Sequence, residues 1–107
     1  MGYSVKEYQD EDGCSPYRER LSRLGIATRA RIEARVFRFE LGNLGDVKMV
    51  GDGVREARLD FGPGYRIYFG LNGQTIVLLL VGDKSSQSAD IRTAKRYWKD
   101  YQAGGEP

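Results

Sequence analysis

Between Gly62 and Lys84 the chain reads GPGYRIYFGLNGQTIVLLLVGDK: a tight turn, a strand, a second turn, and a strand that is apolar without a break from Ile76 to Val81. A run of that kind fits only where both faces of a sheet are covered, so Thr75 to Val81 is expected as a central strand. The neighbouring segments have half-buried alternation instead. In Tyr65 to Leu71, Tyr65, Ile67, Phe69 and Leu71 fall on one face and Arg66 and Tyr68 on the other. In Val54 to Phe61, Ala57, Leu59 and Phe61 share a face, opposite Glu56, Arg58 and Asp60. Folding about Gly62-Pro63-Gly64 pairs Phe61 with Tyr65, Leu59 with Ile67, Asp60 with Arg66 and Arg58 with Tyr68, so that apolar faces coincide. Lys48 to Val50 reads as a short strand ahead of these.

Helices flank this block. Tyr3 to Gln9 alternates as a first strand, with Tyr3, Val5 and Glu7 on one side. Ser15-Pro16 is a helix start, with Ser15 as cap and Pro16 in the first turn. From there to Leu41 the period is helical. Ala27, Ala30, Ala34, Phe37 and Leu41 form one stripe, expected to be buried, and Leu21 and Leu24 an earlier one. Gly25 between them allows two helices or one kinked helix, and Gly42 and Gly45 end the element. After the strands, Ser85 or Ser86 can cap a last helix with Ile91, Ala94, Trp98 and Tyr101 inward and Arg92, Lys95, Arg96 and Lys99 outward. Helices and consecutive strands in blocks imply an α+β fold, and 107 residues imply a single domain.

Composition narrows the chemistry. With no His and only Cys14, the chain has no Ser-His-Asp or Cys-His catalytic set, no zinc cluster and no internal disulfide. The lone cysteine points to a reducing compartment. No apolar signal core opens the chain and no apolar run is long enough to span a bilayer, so a cytoplasmic protein without membrane contact is expected. Gly51-Asp52-Gly53 and Gly62-Pro63-Gly64 are turns that match no phosphate-loop or dinucleotide fingerprint. Net charge is only +2, yet residues 15–42 carry seven Arg against three Glu. Those cations either solvate a helix or make a face for RNA or an acidic partner.

What remains is a polar sheet face with Glu56, Arg58, Arg66 and Tyr68, and Lys84 just past the central strand. RNA cleavage by attack of a 2′-hydroxyl on the adjacent phosphate needs fixed cations for the developing phosphoryl charge and a group to move protons. Arg58, Arg66 and Lys84 supply the first; Glu56, Tyr68 or Lys84 can supply the second. Equally, exposed strand faces carry charge without any catalytic role, and Arg66 can simply pair with Asp60.

The motifs Gly42-Asn43-Leu44-Gly45-Asp46-Val47-Lys48, Gly51-Asp52-Gly53-Val54-Arg55-Glu56-Ala57-Arg58, Phe61-Gly62-Pro63-Gly64-Tyr65-Arg66-Ile67-Tyr68-Phe69, Gly82-Asp83-Lys84-Ser85-Ser86-Gln87 and the helix Asp90 to Trp98 together resemble the RelE/ParE superfamily of type II toxins, in particular its HigB-like addiction module killer protein branch. The resemblance implies one toxin domain over residues 1–107, with two N-terminal helices packed on a mainly antiparallel four-stranded sheet and a C-terminal helix. It implies a ribosome-dependent mRNA endonuclease that uses no metal or other cofactor. The implied partners are a cognate helix-turn-helix antitoxin, the ribosome with its mRNA, and operator DNA through the antitoxin complex. On this resemblance Arg66 contacts the scissile phosphate, Arg58 and Lys84 are its companions, and Lys48, Arg55 and Lys95 bind RNA. The catalytic Tyr of the RelE type has no match; its place falls near Asp90. ParE-type relatives poison DNA gyrase instead, and a degenerate relative would only bind an antitoxin or DNA.

Overall fold

Five strands make one mixed sheet in the order β1-β5-β4-β3-β2. The computed structural model describes residues 2–104. In chain order the elements are β1 (Ser4–Glu7), α1 (Pro16–Ser22), α2 (Ile26–Glu40), β2 (Val47–Gly51), β3 (Val54–Leu59), β4 (Tyr65–Asn72), β5 (Thr75–Asp83) and α3 (Gln87–Ala103), with a 3-10 turn at Lys84–Ser86 before α3. The architecture is α+β as expected, but the implied four-stranded, mainly antiparallel sheet is corrected in two respects. Val47–Gly51 is a full edge strand, and β1 joins β5 in parallel, Ser4 opposite Thr75 through Glu7 opposite Leu78.

Strand β5 is central and buried on both faces. Ile76, Leu78 and Val81 pack with Tyr17, Leu21, Ile32 and Phe39 of α1 and α2. Val77, Leu79 and Leu80 pack on the other face with Ala94, Trp98 and Tyr101 of α3. The two adjacent leucines share a face because the β4–β5 ladder is irregular after Tyr68, where the partner shifts from Leu80 to Leu78. Among the described residues no helix is long and apolar enough to cross a membrane.

Two further expectations are corrected. The β3–β4 hairpin pairs Leu59 with Tyr65, Ala57 with Ile67 and Arg58 with Arg66. Its loop is therefore Asp60 to Gly64, longer than the expected three-residue turn, and every pair moves by two positions. Faces survive an even shift, so the apolar pattern could not detect it. In α2 the inward side is Ile32, Arg35, Val36 and Phe39, whereas Ala27, Ala30, Ala34, Phe37 and Leu41 face solvent. Gly25 does separate two helices, and Ser15 Oγ accepts the Arg18 amide at 3.0 Å as the cap of α1.

Arg35 explains why a charged residue lies on the buried side. Its guanidinium donates to three backbone carbonyls, Nη1 to Arg58 at 2.7 Å, Nη2 to Asp46 at 3.1 Å and Nε to Leu44 at 3.2 Å. It thus ties α2 to the 42–46 loop and to β3. Gly45 makes room for it: φ is +72°, and a Cβ there would lie 2.8 Å from the guanidinium. Arg20 makes a second tie. Past the end of β1 the edge of β5 is open, and Arg20 crosses it from α1, donating to Val81 O at 3.1 Å and to Asp90 Oδ1 on α3 at 3.2 Å.

Candidate functional site

The hairpin register places Arg58 directly opposite Arg66 on neighbouring strands. Like charges in that relation repel, and the fold supplies one counter-charge. Glu56 lies two residues earlier on the same face and is fully buried. Its Oε1 is 3.7 Å from Arg58 Nε and its Oε2 3.9 Å from Arg66 Nε. Those separations give charge balance without hydrogen bonds. Glu56 is oriented from α3 instead: Gln87, the first residue of that helix, donates Nε2–H to Oε2 at 2.8 Å. Arg66 is nearly buried and its Nη1 donates to Gly64 O at 3.0 Å, while the Arg58 side chain is 40% exposed.

Beneath the arginines, Tyr68 pairs across the strands with Glu56 and has no solvent exposure. Burial first, and then the charges of Glu56 and Asp90, raise its pKa above the ordinary phenol value, so its hydroxyl keeps its proton at neutral pH. The Tyr68 hydroxyl, Glu56 Oε1 and Arg66 Nε are buried without a hydrogen-bond partner. A folded protein seldom leaves such atoms unsatisfied without a use for them.

Above this floor lies an open cleft of about 360 Å³. Arg58, Arg66 and Lys84 line it together with Pro63 of the hairpin loop and, as opposing charges, Asp46 and Asp60. Lys84 is exposed and opens the 3-10 turn. Asp83 fixes that turn by accepting the Ser85 amide at 2.9 Å, and its pKa is lowered chiefly by the Ser85 hydroxyl. The cleft thus carries three cations, with two exposed carboxylates beside them.

Of the residues singled out in the sequence, Arg58, Arg66, Lys84, Glu56 and Tyr68 converge here. Lys48 is exposed on β2 opposite Glu56. Arg55 and Lys95, expected to bind RNA, lie outside the cleft. Arg55 pairs with Phe69 and so lies on the α1–α2 face, because alternate residues of β3 point oppositely. Lys95 sits at the far end of β3, its Nζ 3.9 Å from Asp52 in the β2–β3 turn. Asp90 is buried and held by Arg20 and by the Ser86 hydroxyl, which donates at 2.6 Å. Gly82 leaves it space, since a Cβ there would lie 2.0 Å from Asp90 Oδ2. Gln87 was not singled out, because a polar residue in a first helical turn carries no sequence mark of an inward partner.

A larger concavity, about 550 Å³, lies between β1 and the end of α3. Glu7, Asp10, Glu11 and Asp100 line it, with the Tyr8 hydroxyl donating to Asp100 at 2.6 Å. Such a surface repels polyanions and holds none of the convergent cations. Among the described residues no three His, Cys, Asp or Glu side chains group as metal ligands.

No protein-family profile matches the chain. A Haemophilus influenzae protein, itself described only as uncharacterized, is 48% identical over 77 residues, which is 70% of this chain and 78% of that protein. Among solved structures, a mutant of the E. coli toxin RelE in its free state superposes with a TM-score of 0.64 over 90% of this chain and 98% of that one. Identity in that pair is 19%, so the likeness is one of fold.

Proposed function

We propose, from the premise that the chain belongs to one family with the Haemophilus influenzae protein and has the fold of the toxin RelE, that it is the toxin of a type II toxin–antitoxin pair. In this reading it is of the HigB-like kind, acts in the cytoplasm, and halts translation by cutting mRNA on the ribosome without a metal ion. A helix-turn-helix antitoxin restrains it and carries the pair to operator DNA. The observation that supports this most is the Arg58–Arg66 pair held face to face at one cleft over a single buried carboxylate.

The cleft residues divide the work as follows. Arg58 and Arg66 take the non-bridging oxygens of the scissile phosphate, where charge grows as the 2′-oxygen attacks. The bond from phosphorus to the 5′-oxygen breaks, and Lys84, at the open lip, gives that oxygen a proton. Glu56 lies below the arginines and acts on RNA only by balancing their charge, while Tyr68 fills the buried floor beside it. The proton of the 2′-hydroxyl leaves to solvent. A site whose central carboxylate is buried depends on having its substrate aligned for it, which is what a ribosome-held codon provides. Lys48 holds the flanking backbone.

The test is brief induction in cells, followed by mapping of mRNA 5′ ends. Wild type should arrest growth and leave cuts within codons. Arg58→Ala, whose side chain is partly exposed, should melt as wild type does yet restore growth and intact mRNA. Arrest that survives Arg58→Ala, or arrest with intact mRNA and broken DNA, sinks the reading; the second outcome would favour gyrase.

A further inference from the structure

The most regular apolar stripe of the chain faces outward. Along α2 and its C-terminal cap, Ala27, Ala30, Ala34, Phe37 and Leu41 are spaced three and four apart in strict alternation. That is the a, d, a, d, a pattern of two heptads. All five are exposed; Phe37 at 58% and Leu41 at 66% are among the most exposed large hydrophobic residues of the molecule. The same helix buries its opposite side against the sheet, so the fold leaves this stripe without a partner.

The flanks of the stripe carry the selective information. With Ala27 at a, the e positions are Arg31 and Arg38, and the g positions are Ile26, Glu33 and Glu40. One flank is basic and the other mainly acidic. Two antiparallel copies would set like flank against like flank. Two parallel copies set g against e, and Glu33 then meets Arg38 of the other copy, five residues on, twice by symmetry. Ile26 meets Arg31, which needs no carboxylate because its guanidinium already lies 3.9 Å from the Phe61 ring centroid of its own chain. Glu33 is available as well. Its own-chain contact to Arg18 is 3.4 Å, whereas Arg18 holds Glu7 at 2.6 Å.

We propose that α2 is a self-association surface, and that its occupant is a second copy of this chain packed parallel to the first about a two-fold axis along the helix. The three alanines let the backbones approach closely, while Phe37 and Leu41 supply the apolar anchor. Two heptads make a small interface, so the dimer forms in proportion to concentration. The inference stands independently of the proposed activity, since none of its residues lines the cleft.

Sedimentation equilibrium of the full chain from about 1 μM to about 1 mM, the span of ordinary weak association, should show a rising mass. Phe37→Glu should abolish the rise. Arg38→Glu should weaken association about tenfold, by replacing two attractive pairs with two repulsive ones. Adding Glu33→Arg to Arg38→Glu should restore it, since the exchange recreates both pairs. In a Cys14→Ser background, Ala34→Cys should crosslink to itself under mild oxidation, because parallel a positions face one another. Each altered residue is exposed, and unchanged circular dichroism will confirm folding. A mass of 12.1 kDa throughout overturns the proposal and leaves the stripe to a different partner. A dimer indifferent to Phe37→Glu and Arg38→Glu overturns it equally.

Discussion

Glu56→Gln is the perturbation that most directly probes the cleft floor. The substitution keeps the shape and still accepts the Gln87 hydrogen bond, so it removes only charge. What it leaves is Arg58 opposite Arg66 with no counter-charge between them. One unit pair at 4 Å is worth about 4 kcal/mol at an effective dielectric constant of 20. Arg66 is nearly buried, but the Arg58 side chain is 40% exposed and partly screened. Breaking a buried charge relation of this kind costs about 3 kcal/mol. At about 4 °C per kcal/mol for a domain of this size, Tm should fall by about 12 °C in calorimetry at neutral pH and low salt. The vacated charge also makes an anion site. Sulfate should therefore raise the Tm of Glu56→Gln more than that of wild type. A variant melting within about 2 °C of wild type, below 1 kcal/mol on the same scale, would refute the reasoning. So would equal sulfate stabilisation of both proteins.

Other consequences can be checked with the same material. Gly45→Ala should cost about 2 kcal/mol in chemical denaturation, from the left-handed backbone and the crowding of Arg35. Arg35→Lys should rescue little, because an ammonium cannot fork to three carbonyls. Asp60→Asn removes an acidic rim charge and should tighten RNA binding while steepening its salt dependence. For Glu7, burial works hardest to raise the pKa, but the Arg18 and Ser15 hydrogen bonds and the Arg18 charge together outweigh it, and for Asp83 the Ser85 hydroxyl dominates; both are held low in the folded state. Their contribution is present above the ordinary carboxylate range and lost as pH falls through it and below. Asp83→Asn should lower stability at neutral pH, where that contribution is present, and flatten the loss of stability over the acid range.

Local signals identified most elements because they are short-range. The Ser15-Pro16 cap, the Gly25 break, the doubly buried run from Ile76 to Val81 and the inward residues of α3 all follow from neighbours in the chain. The α2 face was misassigned because the helix carries two apolar arcs. The outward one is unbroken, whereas the inward one is interrupted by Arg35, whose carbonyl partners come from β3 and the 42–46 loop. The hairpin slipped by two because pleat alternation is blind to even shifts, and only the length of the Asp60–Gly64 loop fixes the register. The same slip hid the Arg58–Arg66 juxtaposition and set Asp60 in its place. Glu56 read as an exposed strand carboxylate, since nothing near it in sequence announces Gln87 as a cover. The parallel pairing of β1 could not be read locally, as its partner lies some seventy residues on.

That last pairing has a bearing on biosynthesis. A ribosome releases Ser4 to Glu7 long before Thr75 to Leu78, which they flank, and β5 is also the strand against which both helical layers close. A copy translated only through β4 thus has neither its middle strand nor Lys84, and neither helical layer can close until β5 has emerged.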